Sequence, residues 1–171
     1  MNIEISRKSR KRGEVSRPSI PEIRTAATLY GRILFGYRKW HEDISVLITL
    51  KADPTDGDYG STAWQDRNYR PREFHISINT ELITRREVFR TLAHEFIHVN
   101  QFATGQIQDM VRSNTTKWEG KSYHTSDWDH NEHLMAPWEI DARGREEILF
   151  YNMADAAGWL DRDWVFDGVH K

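Results

Sequence analysis

A chain of 171 residues is the length of one domain, long enough to bury about 70 per cent of its unfolded surface in a core. Its formal charge of −2, from 24 Lys and Arg against 26 Asp and Glu, excludes nucleic-acid binding by bulk electrostatics of the whole molecule. It has no cysteine, which fits a reducing compartment; no run is long and apolar enough to span a bilayer, and Met1-Asn2-Ile3-Glu4-Ile5 has no apolar signal core, so a soluble cytoplasmic protein with no membrane partner is expected.

The elements follow in chain order. Residues 1–17 are polar and basic, with Arg7, Lys8, Arg10, Lys11, Arg12 and Arg17. A flexible tail is expected there, or an arm that binds nucleic acid; the remaining 18–171 would be the single domain. Ile23, Ala27, Tyr30, Leu34 and Tyr37 recur at spacings of three and four, which predicts a packing helix over about 21–40. Ile44-Ser45-Val46-Leu47-Ile48-Thr49-Leu50 reads as a buried strand. Asp53-Pro54-Thr55-Asp56-Gly57-Asp58 is a turn, without the spacing or terminal glutamate of an EF-hand. Residues 59–64 form a plausible strand, and Phe74, Ile76 and Ile78 alternate with polar neighbours in a second.

The next segment carries the chemistry. Thr84-Arg85-Arg86-Glu87 has the form of a capping box, and Gly105 supplies a stop. Between them Val88, Phe89, Leu92, Phe96, Val99 and Ala103 form one apolar arc of a helix. Glu87, Thr91, His94, Glu95, His98 and Gln101 lie on the other side. His94-Glu95-Phe96-Ile97-His98 is an H-E-x-x-H motif. Two imidazoles four residues apart stand one above the other and can share one zinc ion, while the glutamate can serve as general base toward water.

Catalytic zinc takes three protein ligands. The residues after His98 lack the third histidine of the metzincin pattern. One alternative source is His124, His130 or His133; the other is Glu139. Pro137 suits a first helical turn, and helical spacing then runs to about Ala157. Glu139 and Glu146 fall within the apolar arc of Trp138, Ala142, Leu149, Met153 and Ala156. A carboxylate on that face needs a partner, either a metal or an arginine. Glu146 lies two turns further on, about 10 Å away, so a supporting role or a salt bridge is expected of it. Tyr123, His124 and Tyr151 are the candidates to stabilise an oxyanion. Residues 117–123 look like a hairpin, and Trp159, Trp164 and Phe166 suggest a tail docked on the body.

A helix with H-E-x-x-H followed by a second helix with E-x-x-A resembles the gluzincin-type zincins. The nearest layouts are those of the minigluzincins and of the SprT-like and ImmA/IrrE-like metallopeptidases. The matching residues are His94, Glu95, His98, Glu139 and Ala142, and the resemblance covers roughly residues 20–158. Thr91-Leu92-Ala93-His94-Glu95-Phe96-Ile97-His98 resembles the SprT-like active-site helix. Residues 137–142 resemble a segment of small zincin-like proteins of phages and bacteria. SprT-like proteins commonly use a third histidine and append a cysteine zinc ribbon, which this chain cannot have.

The resemblance implies an α+β fold: a compact zincin-like domain, with an N-terminal helix packed on a small, mostly antiparallel sheet, then the two ligand-bearing helices. It implies a zinc metallopeptidase holding one Zn2+ through His94, His98 and Glu139, with Glu95 as the base and a peptide or protein as substrate. By analogy Gly60-Ser61-Thr62-Ala63 would be the edge strand that pairs with that substrate. The rival expectations are a DNA-associated protease using the basic arm, a catalytically silent zincin-fold binding module, and a zinc hydrolase of non-peptide substrates.

Overall fold

Alternating apolar residues build the central sheet. In the computed structural model, which describes residues 1–7, 17–36, 42–52, 57–66, 68–80, 84–110 and 113–167, strands β2 (Ser45–Lys51) and β4 (Glu73–Asn79) bury Val46, Ile48, Leu50, Phe74, Ile76 and Ile78. They are parallel neighbours in a four-stranded sheet. Strand β1 (Asn2–Arg7) flanks β2 in parallel, and β3 (Gly60–Trp64) flanks β4 antiparallel as the terminal strand.

Helix α1 (Ile20–Phe35) crosses between β1 and β2. It opens on a Ser19–Glu22 capping box. Its buried side holds Ile23, Ala26, Ala27 and Tyr30, and the Tyr30 hydroxyl donates to Phe89 O at 2.9 Å. Helix α2 (Arg85–Thr104) packs on β3 and β4 and against α1. A three-stranded antiparallel sheet follows: β5 (Ile107–Met110), β6 (Thr115–Trp118) and β7 (Lys121–His124). The short α3 (His130–Leu134) leads into α4 (Pro137–Ala156), which lies across α1 and α2.

The α+β class is as expected, but the main sheet is mixed. Its first two pairings are parallel: the chain passes from β1 to β2 through α1, and from β2 to β4 by way of β3, so neither pair is joined by a tight turn. Residues 2–7, assigned from sequence to a tail, form β1. Ile3 is buried, and the Arg24 guanidinium donates to Ile3 O at 2.6 Å. The alternation of Ile3 and Ile5 with Glu4 and Ser6 is a strand signal that the following basic run obscures. The remainder of that run, residues 8–16, lies outside the described residues, as do 53–56 of the acidic turn. Helix α1 ends earlier than the spacing predicted. Gly36 takes φ +61°, and its N–H caps Arg32 O at 2.9 Å. Residues 37–41, including Tyr37, lie outside the described residues.

The C-terminal aromatics dock as expected. Phe89 of α2 packs between Trp159 and Trp164, with ring centroids 5.4 and 5.1 Å away. Arg86 Nε donates to Val165 O at 2.9 Å. Among the described residues no helix is long and apolar enough to cross a membrane. Phe89→Ala should destabilise the protein by about 3–5 kcal/mol, because it empties a fully buried site at the junction of α2 and the tail. A urea melt measures this; a loss below about 1 kcal/mol would mean that the tail carries no packing energy.

Candidate metal centre

Helix α2 is fixed at both ends. Thr84 N–H donates to the Glu87 carboxylate at 2.7 Å, Glu87 N–H returns to Thr84 Oγ1 at 3.3 Å, and Gly105 closes the helix at φ +83°. Its polar side is only partly open to water, with Thr91 and His94 half-buried beside more deeply buried neighbours. Glu95 is 4% exposed, His98 7% and Gln101 0%. Packing of α4 over that side covers it, with Ala142 wholly buried one turn beyond Glu139, where a larger side chain would hold the helices apart. Helical periodicity identifies which side is polar but not what lies over it.

His94 and His98 present their Nε2 atoms 3.0 Å apart, and Glu139 in the first turn of α4 completes a triangle. Its Oε1 is 3.1 Å from His98 Nε2 and its Oε2 is 3.2 Å from His94 Nε2. The carboxylate is partly accessible, at 22%. It lies at the rim of the apolar arc, less deeply buried than the wheel suggests. These three residues could hold a metal ion.

The surrounding hydrogen bonds decide which nitrogens are free. Gln101 Nε2 donates to Trp138 O at 3.1 Å and to Asp141 Oδ2 at 2.9 Å. Its Oε1 therefore faces His98 Nδ1, 2.8 Å away, as an acceptor. His98 then carries its proton on Nδ1 and keeps the Nε2 lone pair for a ligand. Glu146 does the same for His94, with Oε2 2.7 Å from Nδ1, and is itself held by Arg90 Nε at 3.3 Å. Such outer partners orient and strengthen metal-binding histidines. Glu146, expected from the sequence in a supporting role or a salt bridge, makes contact with both His94 and Arg90. Gln101 was visible only as one more polar position three residues after His98.

Glu95 leaves the same helix toward β3. Its Oε2 accepts from the Thr62 hydroxyl at 2.7 Å. The β3 backbone passes so close that a Cβ on Gly60 would lie 2.6 Å from Thr91 Cγ2 and 2.7 Å from Glu95 Oε1. Neither neighbour yields easily: Thr91 is β-branched, and Glu95 is held by Thr62. Gly60, Ser61 and Thr62 line the cleft, while Ala63 continues the strand without lining it.

None of the three expected oxyanion stabilisers lines the cleft over His94, His98 and Glu139. Tyr123 packs edge-on against Trp128 and Trp138, with centroids 6.2 and 5.9 Å away. His124 Nδ1 lies 3.4 Å from Thr115 Oγ1. Tyr151 stands 12 residues, about 18 Å, along α4 from Glu139, with its hydroxyl accepting from Arg86 at 3.4 Å. Of the histidines weighed as ligands, His130 lines the cleft at its mouth. It is not part of the ligand triangle, and neither are His124 and His133.

Electrostatics couple the centre tightly. Burial pulls the His94 pKa down, but hydrogen bonds to Glu139 and Glu146 and the charge of Glu95 outweigh it and raise it to about 10. Burial pushes Glu139 up, yet hydrogen bonds to His94 and His98 and their charge hold it well below the usual carboxylate range. Burial raises the Glu95 carboxyl, against the pull of His98, His94 and Thr62. Comparison with protein-family models, with curated proteins and with solved structures finds nothing that matches the chain.

These shifts set a pH window for the metal-free protein. His94, raised from 6.5 to about 10, contributes stability fully below about pH 6.5, and loses it as pH rises toward 10. Glu139, lowered from 4.5, contributes above about pH 4.5 and loses it on further acidification. The melting temperature in chelator should fall from pH 6.5 to 9.5 in the native chain and fall less in His94→Gln. Parallel calorimetric scans of both proteins test this; identical pH profiles would contradict the coupling.

Proposed function

We propose that this chain is a zinc-dependent metallopeptidase with the layout of a small gluzincin. The convergence of His94, His98 and Glu139 on one point, beside a buried Glu95 and beneath the open edge of β3, carries the reading. Two imidazoles and one carboxylate are a donor set of catalytic zinc sites. Ligands at 2.0–2.1 Å in tetrahedral array stand about 3.3–3.4 Å apart. The three atoms here are separated by 3.0–3.2 Å, so a shift of a few tenths of an ångström seats the ion.

His94 and His98 would hold zinc through Nε2, and Glu139 through a carboxylate oxygen. When bound, zinc supplies Lewis acidity, polarising a carbonyl and lowering the pKa of water at the site toward about 7. Glu95 takes a proton from the attacking water onto its carboxylate and returns it to the leaving nitrogen. Burial raises its pKa, the direction that a proton acceptor for water needs. Thr62 holds the carboxylate in place through its hydroxyl. As the terminal strand, β3 has an outer edge that no described strand occupies, and an extended peptide can add there as a further strand. Gly60 lets that edge lie directly against Glu95.

Two substitutions separate binding from chemistry. Glu95→Gln should retain one zinc per chain while peptide hydrolysis falls by about 10²–10⁴-fold. Glu139→Ala should weaken zinc well beyond the roughly 10–100-fold that loss of a supporting partner costs. Metal analysis after dialysis, together with a mixed-peptide cleavage assay, reads both. Stoichiometric zinc with no hydrolysis by the native chain would instead favour a binding module, and zinc retained in Glu139→Ala would move the third ligand elsewhere.

A further inference from the structure

The cleft has two lobes that meet over the metal centre. They share Gly60, His94, Glu95 and Glu139, and β3 with the segment before it runs from one to the other. One lobe, of about 320 Å³, is walled by Phe102 and Trp138. The other, of about 480 Å³, has Tyr59 and Leu134 as its apolar walls and contains Arg143. Each is large enough for peptide side chains, and their linings differ in chemistry.

Charge pairing singles out Arg143. In the larger lobe Arg90 is matched by Glu146 at 3.3 Å, and Glu146 is matched again by His94. Glu139 faces the two histidines, and Asp58 is engaged. Arg143 has no carboxylate partner among the described residues. Its one hydrogen bond, Nε to Glu139 O at 3.2 Å, anchors the guanidinium to its own helix and leaves the two Nη groups unused. The residue is one turn beyond Glu139 on α4, about 6 Å along the axis. That is about the span of two residues of an extended chain.

We propose that Arg143 is a specificity residue that receives a carboxylate of the substrate in this lobe. The reading rests on the peptide-hydrolysing role of the same centre and names the charge class of what it acts on. A guanidinium offers two parallel N–H donors to a carboxylate, a geometry that a carboxamide cannot match in strength. The carboxylate is either an Asp or Glu side chain near the reacting bond or the C-terminus of a chain ending shortly after it. The smaller lobe, with Trp138 and Phe102, takes the apolar residue on the other side.

The test uses zinc-loaded Glu95→Gln protein, which binds without turnover, and acetylated heptapeptides of Ala and Phe. Each carries one Glu or one Gln at successive positions, and each is made with a free C-terminus and as the carboxamide. Titration is followed by tryptophan fluorescence. At least one carboxylate peptide should bind about tenfold tighter than its uncharged counterpart, less so at high salt. The position of the effect distinguishes side chain from terminus. Adding Arg143→Ala should abolish the preference while zinc content and melting temperature stay unchanged, and Arg143→Lys should restore part of it. Equal affinity for charged and uncharged peptides, or the same preference kept in Arg143→Ala, overturns the proposal. Failure of the native chain to hydrolyse peptides, with the Arg143-dependent preference intact, would reject the peptidase reading and leave the carboxylate site standing.

Discussion

Three ligand-type atoms held about 3 Å apart are the constraint on which the rest depends. His94 Nε2, His98 Nε2 and the Glu139 carboxylate face one another across the seam between α2 and α4. Lone pairs crowded in this way repel unless a proton or a cation lies among them. In the metal-free protein the proton is supplied by His94, and Glu139 stays ionised to match it. A metal ion would take over the same position and displace that proton. The seam is therefore built for positive charge. Ala142 lets the helices approach, and Gln101 and Glu146 turn the lone pairs inward.

The sheet supplies the second half of the arrangement. Its buried strands carry Ile48, Ile76 and Ile78 and give α2 a rigid floor. The antiparallel end strand β3 then passes directly over the helix at Glu95. A side chain at Gly60 would push strand and helix apart. Thr62 uses the resulting closeness to hold the Glu95 carboxylate from the strand side. Glu95, the two histidines and the outer sheet edge thus belong to two elements whose contact is fixed by core packing. Glu139 arrives on α4, which is steadied in turn by α1 and by the aromatic tail, where Trp164 meets Phe150 and Phe166 stacks on Tyr151.

Much of this was legible in the residues. The capping box at Thr84, the H-E-x-x-H spacing and the strand alternation around Ile76 are local signals, and local signals survive in sequence. Glu139 was readable because a carboxylate among Trp138, Ala142 and Leu149 demands a partner. An arginine partner was the lesser alternative, and in the structure Glu139 faces His94 and His98. Strand β1 was missed because two isoleucines precede a basic run that dominates composition. The parallel pairing was missed because register and direction depend on a distant partner. Tyr151 was misplaced because helical distance along α4 carries it about 18 Å from Glu139. Gln101 and Thr62 act through contacts between elements, which no spacing rule encodes.

The central claim is that the α2–α4 seam holds a zinc ion. Diffraction from crystals grown with zinc, recorded on both sides of the zinc absorption edge, tests it most directly. The anomalous peak should lie about 2.0–2.2 Å from His94 Nε2, His98 Nε2 and one Glu139 oxygen. A peak centred on other residues, or none at this seam, would contradict it.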